Sequence, residues 1–328
     1  MNKKRIRTHL QRVFDNWVQS IKNPEVAQMV RNNTIITGGA IASLLKSEPP
    51  KDYDIYFRNK ETTLRVAQYY VDWVNGDPDT QDRGHKAFVL DGDRDIDEQI
   101  REVGQSPWNS VMLSTTLPGQ VKVIIRSDGV AGTLPVPEDQ FDTMEDIPEE
   151  ILDPPSMEGE PEKEKYRPIF LTSNAITLSD RIQLIIRFYG EPEELHKTYD
   201  FIHCCNYWCS WEPGVVSLNP ESLESLMNKE LIYRGSLYPI CSLFRMRKFL
   251  SRGWKINAGQ ILKISFQISD LDLTSIEVLN DQLIGVDTLY FAHFIDQLVK
   301  AKENFEKEGK EFKITTGYLE TIIDRIFG

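Results

Sequence analysis

The sequence predicts an α+β fold: a mixed sheet with flanking helices, followed by an all-helical C-terminal domain. In the first half of the chain, short β-branched runs alternate with amphipathic stretches of helical period. The near-continuous apolar run 182–188 has the composition of a strand that is buried on both faces. After Asn219-Pro220 the pattern becomes helical and stays so.

The length of 328 residues predicts two domains rather than one core. We place the first domain at residues 1–212 and the helical domain at 213–328. Two insertions are expected within the first domain, a polar one at about 76–110 and an acidic, proline-rich one at about 135–168.

Most of the net charge lies in the acidic insertion. The formal net charge is −12, and residues 138–165 account for −10 of it, with twelve carboxylates against two lysines. The remainder is nearly neutral at −2, which neither requires nor excludes a nucleic-acid partner. The acidic insertion is itself a candidate docking segment for a protein partner.

The sequence does not predict a membrane or secreted protein. It contains no run of roughly eighteen apolar residues, and its N-terminus is basic and amphipathic. The cysteines lack the paired spacing of a structural zinc site, so free thiols are expected; they are Cys204, Cys205, Cys209 and Cys241. We therefore expect a soluble, cytoplasmic chain without a membrane partner.

Each element follows from its apolar period and from its proline and glycine boundaries. Helices are expected at 5–22, 24–31, 40–48, 61–75, 191–196, 239–252, 257–266, 287–302 and 316–326. Strands are expected at 34–37, 52–57, 111–115, 121–126, 169–171, 175–178, 182–188 and 199–207.

Two neighbouring features carry the chemistry. Gly38-Gly39 separates strand 34–37 from a helix start, where backbone N–H groups bind phosphate and a side chain would obstruct it. Asp52 and Asp54 stand at i and i+2 of the next strand, so both carboxylates point to one face. Two like charges this close favour a hard divalent cation, Mg²⁺ or else Mn²⁺. Metal and phosphate together indicate a nucleoside triphosphate (NTP) substrate and phosphoryl or nucleotidyl transfer.

Residues 35–57 resemble the polymerase-beta-like nucleotidyltransferase superfamily, most closely the head domain of CCA-adding enzymes and bacterial poly(A) polymerases. The shared pattern is a strand, Gly-Gly, a helix and a strand with Asp-x-Asp. Those enzymes continue with valine, arginine and aspartate after the glycines. Here Ala40-Ile41-Ala42-Ser43 follows, so their ribose discrimination is not implied. The resemblance implies a nucleotidyltransferase-type sheet that moves an NMP onto an acceptor hydroxyl, first of all an RNA or tRNA 3′ end.

The resemblance also implies a third metal-binding carboxylate on a later strand. Asp200 is the first choice, because it would begin strand 199–207 beside the apolar run 182–188. Together with Asp52 and Asp54 it forms the expected catalytic and metal-binding set. The alternatives for the third position are Asp128, Asp95 and Asp97.

Basic side chains complete the expected NTP-binding set of Gly38 and Gly39. Arg187 lies inside the apolar run 182–188, where an unpaired cation would be costly to bury, so it is expected to meet a carboxylate or phosphate. Arg245 and Lys248 share one face of the helix 239–252. That face is either solvated or in contact with triphosphate or an RNA backbone.

Two other interpretations stay open. In the first, the acceptor is a protein or a small molecule, as in toxin-like transferases. Alternatively, the head is catalytically inactive and serves binding or assembly. A third carboxylate near Asp52 and Asp54 would favour catalysis, and its absence would favour binding.

Overall fold

The computed structural model describes residues 2–77, 86–103, 116–125, 164–283, 298–302, 304–305, 307 and 313–327. These residues divide into two compact units. The first unit comprises the described residues up to 125, then 164–197 and 203–226; the second comprises 198–202 and the described residues from 227 onward. The predicted strand 111–115 and nearly all of the acidic insertion lie outside the described residues.

The first unit is built on a mixed sheet. The strands of this unit are β1 (Thr34–Thr37), β2 (Tyr53–Phe57), β3 (Ala87–Asp91), β4 (Val121–Ile125), β5 (Pro168–Leu171), β6 (Ala175–Leu178), β7 (Ile182–Tyr189), β8 (Tyr207–Cys209) and β9 (Val216–Ser217). Among the described residues, the main sheet has the order β5-β6-β7-β2-β1-β8-β9. β2 and β7 are parallel, and the other neighbours are antiparallel. The predicted mixed sheet is confirmed.

The central strands β1 and β2 are held by apolar side chains. Ile35, Ile36, Ile55 and Phe57 are fully buried. β-Branched and aromatic residues favour the extended backbone, because they pack well on a pleated surface. This burial fixes the register, since a shift by one residue would turn the apolar side chains to the other face.

The described helices of the first unit stand before, between and after its strands in the chain. They are α1 (Lys3–Ser20), α2 (Pro24–Asn33), α3 (Gly39–Lys46), α4 (Lys60–Gly76), α5 (Ile96–Val103), α6 (Pro192–Leu195) and α7 (Pro220–Asn228), the last of which continues into the second unit. α1 is the predicted amphipathic helix and buries Leu10, Phe14 and Trp17. The indole N–H of Trp17 donates to the hydroxyl of Tyr70 on α4 at 2.8 Å.

The predicted polar insertion contains structure of its own. β3 pairs with β4 in an antiparallel ladder, and Ala87, Val121 and Val123 join the main core. The ammonium group of Lys60, at the start of α4, contacts the carboxylates of both Asp91 and Asp93. This ion-pair cluster ties the turn that follows β3 to α4.

The second unit is mainly helical, as predicted. It contains α8 (Pro239–Ser251), α9 (Ala258–Ser269), α10 (Ile276–Leu283), α11 (Thr316–Phe327) and a short parallel ladder of β10 (Glu230–Leu231) with β11 (Lys255–Ile256). Asn257 caps α9, as predicted, by accepting from the N–H of Gln260 at 3.1 Å. None of the described helices combines the length and the apolar character that a membrane span requires.

The predicted strand 199–207 is wrong. Residues His196–Thr198 and Ile202–Cys204 form 3₁₀ turns, and Asp200 lies between them. The strand next to β7 is β2 on one side and β6 on the other. A short apolar run is compatible with either a strand or a buried turn, and here the neighbouring positions in the sheet are taken by other strands.

The four cysteines are free thiols, as predicted. Cys205, Cys209 and Cys241 are buried. Burial raises the pKa of the Cys209 thiol to about 12, with a smaller contribution from nearby carboxylates that include Glu212. This side chain therefore remains a protonated, unreactive core residue at neutral pH.

Candidate functional site

The glycine pair forms a sharp turn between β1 and α3. Gly38 has φ 86° and ψ −147°, a conformation that essentially only glycine adopts, and it is the N-cap of α3. Gly39 is the first residue of the helix, and a Cβ atom at this position would meet nothing within 4 Å. The backbone of the turn is therefore open to a ligand on the side of Gly39.

The aspartate pair lies beside this turn. Asp54 is in β2 and Asp52 immediately precedes that strand; both are partly buried. In the antiparallel register of β1 and β2, Asp54 is the partner of Thr37, the last residue before Gly38. Side chains of directly paired residues share a face and lie about 5 Å apart at Cβ. The structure thus brings Gly38, Gly39, Asp52 and Asp54 together, within one unit.

A row of polar residues crosses the sheet at the level of Asp54. In register from β6 to β9, its members are Thr177, Gln183, Asp54, Thr37, Tyr207 and Ser217. Gln183 occupies the position next to Asp54 on the parallel strand β7 and is partly buried. Its carboxamide can donate to a phosphate or carboxylate and accept from a hydroxyl. Sequence reasoning missed Gln183, because only the register of β2 with β7 reveals it.

A buried hydrogen-bond network holds Thr37, the last residue of β1 before the turn. The Thr37 hydroxyl donates to the backbone carbonyl of Asn206 at 2.8 Å and lies 2.9 Å from Nε2 of His196. The Asn206 carboxamide donates to Ser222 at 2.6 Å and accepts from the N–H of Asn219 at 2.9 Å. Thr37 and Asn206 are fully buried, so the position of the turn is set by satisfied internal bonds.

The residue between the two aspartates connects the strand to α1. The hydroxyl of Tyr53 lies 2.6 Å from Nε2 of His9. Burial, together with the nearby Arg12, lowers the pKa of His9 below its ordinary value. Burial likewise raises the pKa of Tyr53. Both groups are therefore uncharged at neutral pH, and this hydrogen bond supports the strand on the face opposite Asp54.

Asp200 belongs to the second unit and is engaged there. One carboxylate oxygen accepts from Arg245 at 2.9 Å, and the other accepts from the N–H of Phe201 at 3.0 Å. The side chain of Asp200 is only 10% exposed, and that of Arg245 is 44% exposed. The arginine therefore neutralises a carboxylate that would be costly to bury alone. This pair joins two of the predicted site residues to each other.

The other candidates for the third carboxylate lie in different surroundings. Asp95 and Asp97 are exposed at the start of α5, where Asp95 accepts from the N–H of Glu98 at 3.0 Å. Asp128 lies outside the described residues. Across the part of the chain that the structure describes, no group of three or more His, Cys, Asp or Glu side chains is placed to hold a metal ion.

The predicted basic residues are divided between the units. Arg187 of the first unit is buried in β7 and donates to the side-chain oxygen of Asn174 at 3.4 Å. It lies four residues beyond Gln183, about 13 Å along the strand from the partner of Asp54. Lys248 lies on α8 of the second unit and is partly buried. The structure does not bring Arg187 into the group formed by the glycine turn and the aspartate pair.

Comparison with known proteins assigns the chain to a family. The family model described as "Gabija anti-defense 2 family protein" matches residues 8–229, two thirds of the chain, and includes the glycine turn and the aspartate pair. The chain belongs to the Gabija anti-defense 2 family. A curated relative, "Gabija anti-defense 2" of Bacillus phage SPbetaL7, is 24% identical over 108 residues. That match covers 32% of this chain and 27% of the relative, so it spans about a quarter of the relative's length.

Two solved structures are similar to this Gabija anti-defense 2 family member at a low level. One is a Thermotoga maritima CCA-adding enzyme complexed with tRNA, with a TM-score of 0.39 and 9% identity, covering 96% of this chain and 69% of that chain. The other is a tRNA-processing enzyme with CTP, with a TM-score of 0.37 and 11% identity, covering 92% of this chain and 57% of that chain. Similarity at this level does not bear on the activity of the chain.

Proposed function

We propose that this chain counteracts the Gabija defense and that its first unit does so as a Mg²⁺-dependent nucleotidyltransferase head. The family supports the biological role. One observation carries the chemistry: Asp54 is in register with Thr37, which places the aspartate pair beside the turn formed by Gly38 and Gly39. A phosphate cradle beside two carboxylates suits a triphosphate and its metal ion.

The residues of this turn and strand have distinct roles in the proposal. The backbone around Gly38 and Gly39 binds the β and γ phosphates. Asp52 and Asp54 hold Mg²⁺ (or Mn²⁺), for which two partly buried carboxylates are suitable oxygen ligands. The bound ion supplies neutralisation of the triphosphate charge. Gln183, beside Asp54, orients the same end of the nucleotide by hydrogen bonding.

The proposed reaction transfers an NMP group. An acceptor hydroxyl oxygen forms a bond to the α-phosphorus of the NTP, and the bond from that phosphorus to the α,β-bridging oxygen breaks. Pyrophosphate leaves with the bond electrons, and the acceptor proton passes to a carboxylate or to water. An RNA or tRNA 3′ end is the first acceptor to test, and a protein or small molecule is the alternative.

Paired substitutions test the proposal in infected cells. Bacteria that carry the Gabija defense would express the wild type, Asp52→Asn, Asp54→Asn or the control Glu224→Gln, an exposed carboxylate on α7. We expect the wild type and the control to restore phage plating, and both aspartate variants to lose most of that effect. Equal plating with all four chains at matched expression would contradict the proposed role of the aspartates.

A transfer assay tests the reaction itself. The purified chains are incubated with Mg²⁺ and each of four α-³²P-labelled NTPs in the presence of RNA, tRNA or cell extract. We expect label in an acceptor with the wild type and with Glu224→Gln, and a loss of at least about 100-fold with Asp54→Asn. No labelled product under any condition would refute transfer. Binding to RNA over a salt series adds a check, because phosphate contacts give a steep salt slope.

One observation favours a second candidate function, an NTP-binding head without transfer activity. Within the described residues, no group of three or more metal-ligating side chains includes Asp52 and Asp54. In this case, calorimetry would show Mg²⁺-dependent NTP binding that Asp54→Asn weakens, while the transfer assay stays blank. Phage plating that survives Asp54→Asn, with NTP binding lost, would show that the nucleotide is dispensable for the anti-defense role.

A further inference from the structure

The residue before the glycine turn, Thr37, contacts a buried histidine that the sequence pattern does not single out. We propose that His196 is a positioning residue for the Gly38-Gly39 turn: through the hydroxyl of Thr37 it fixes the end of β1 and thereby the phosphate-binding backbone. The inference rests on the proposed function for its effect on NTP. The hydrogen bonds of Thr37 with His196 and Asn206 do not depend on that proposal, because they are observed in the structure.

The direction of each hydrogen bond follows from its partners. The Asn206 carbonyl can only accept, so the single proton of the Thr37 hydroxyl is committed to it, at 2.8 Å. The second neighbour of that hydroxyl, Nε2 of His196 at 2.9 Å, must then be the donor. The chain of bonds runs from the imidazole N–H to the Thr37 oxygen, and from the Thr37 proton to the carbonyl.

The imidazole is held in place from two sides. Its ring packs against Tyr207, with ring centroids 5.6 Å apart. Tyr207 is the register partner of Thr37 on β8, so His196 contacts both residues of one cross-strand pair. His196 is 8% exposed and Thr37 is 0% exposed. Water therefore cannot readily replace the bond between them. Losing this hydrogen bond costs more stability than losing one at the surface, because the remaining polar group stays buried without a partner.

The position of Thr37 matters because Gly38 follows it directly. The unusual backbone of Gly38 starts where β1 ends, so a shift of Thr37 displaces the N–H groups of the turn. Phosphate binding by backbone N–H groups depends on distances of about 2.7–3.1 Å. A displacement of well under 1 Å is therefore enough to weaken it, even if the rest of the unit keeps its fold.

Matched substitutions separate a positioning role from a general structural one. Thr37→Val and His196→Leu remove one partner each, whereas Thr37→Ser keeps the hydroxyl and His196→Gln keeps an N–H donor at similar reach. With the Mg²⁺ complex of the best-bound NTP as the probe, we expect the first pair to raise KM or Kd about tenfold with kcat within about twofold. The second pair should stay within about threefold of the wild type. Thr37→Ala replaces Thr37→Val if the latter does not fold.

Hydrogen–deuterium exchange provides a measurement that needs no nucleotide. In Thr37→Val and His196→Leu, a peptide covering residues 36–42 should exchange faster, while a peptide covering 182–189 keeps its wild-type protection. Unchanged exchange at 36–42 would overturn the inference, and so would equal loss with the conservative pair. If the wild type binds no NTP, the proposed function fails, and the exchange data still decide the role of His196.

Discussion

The two glycines of the turn differ in what they contribute, and substitution by alanine distinguishes them. Gly38 has a positive φ of 86°, so Gly38→Ala should lower the free energy of unfolding by about 1–3 kcal/mol. Gly39 is helical, with open space where a Cβ would lie, so Gly39→Ala should leave the free energy of unfolding unchanged or raise it by up to about 1 kcal/mol.

For Gly39, substitution by alanine is expected to change NTP binding rather than stability. A methyl group at Gly39 would stand where the phosphates approach, so Gly39→Ala should lose NTP affinity about tenfold despite its normal stability. Urea unfolding and NTP titration of both variants provide the comparison. Wild-type stability in Gly38→Ala, or wild-type NTP affinity in Gly39→Ala, would contradict the geometry assigned to this turn.

The sequence was informative about single residues wherever a local pattern defines them. Gly38-Gly39 ends a strand as predicted; Asp54 lies in β2, and Asp52 immediately precedes that strand. Gln183 and His196 reach the same region through strand register and a long-range hydrogen bond, which no local pattern contains. The sequence predicts that Asp200 begins a strand, but the buried apolar residues after it, Phe201 and Ile202, do not form one, since burial in a turn needs the same residue types.

At the scale of elements, α1 supports β2 through a titratable contact, and this predicts a pH dependence. His9 has a folded-state pKa below its ordinary value of 6.5, because of burial and then Arg12, whose guanidinium lies 3.5 Å from Nδ1. Protonation therefore favours the unfolded chain. The contribution of His9 to stability is constant above about pH 6.5 and is lost as the pH falls from there towards the folded-state pKa.

Comparison of the wild type with His9→Gln isolates this effect, since glutamine does not titrate and can still bond to Tyr53. We expect the difference between their free energies of unfolding to change by less than about 1 kcal/mol between pH 7.5 and 5, because His9 is partly exposed. The wild type should lose more stability on acidification than the variant. If the free energies of unfolding of both proteins, measured in urea, change equally with pH, His9 does not contribute to the pH dependence of stability.

The elements themselves were predicted where their periodicity is strong. The amphipathic helix α1, the buried strand β7 and the capped helix α9 lie close to their predicted positions. The pairing of β4 with β3 was not anticipated, because both strands are short and stand far apart in the sequence. Pairing partners depend on the packing of Val121 and Ala87 against the main core, and hydrophobic period alone does not encode this.

At the scale of the whole molecule, the sequence predicts the fold class because its pattern changes along the chain. Short β-branched runs typical of strands dominate the first part, and the apolar period of helices dominates the last part. The two units have separate cores: Trp17, Ile55 and Trp208 belong to that of the first. The core of the second unit is formed by Ile240, Ile276, Leu279, Leu298 and Ile314. Because each unit has a hydrophobic core of its own, we expect the two units to unfold in separate cooperative transitions.

Core truncations test this independence, because a cavity destabilises the core that contains it. Ile55→Ala and Leu279→Ala should each cost about 2–5 kcal/mol in their own unit. Pulse-labelling hydrogen exchange at rising urea concentrations reports peptides from β2 and from α8 separately. We expect Ile55→Ala to lower only the midpoint of the β2 peptide, and Leu279→Ala only that of the α8 peptide. Midpoints that shift together in both variants would mean that the two cores unfold in one transition. A destabilising substitution in either unit would then also lower the stability of the glycine turn.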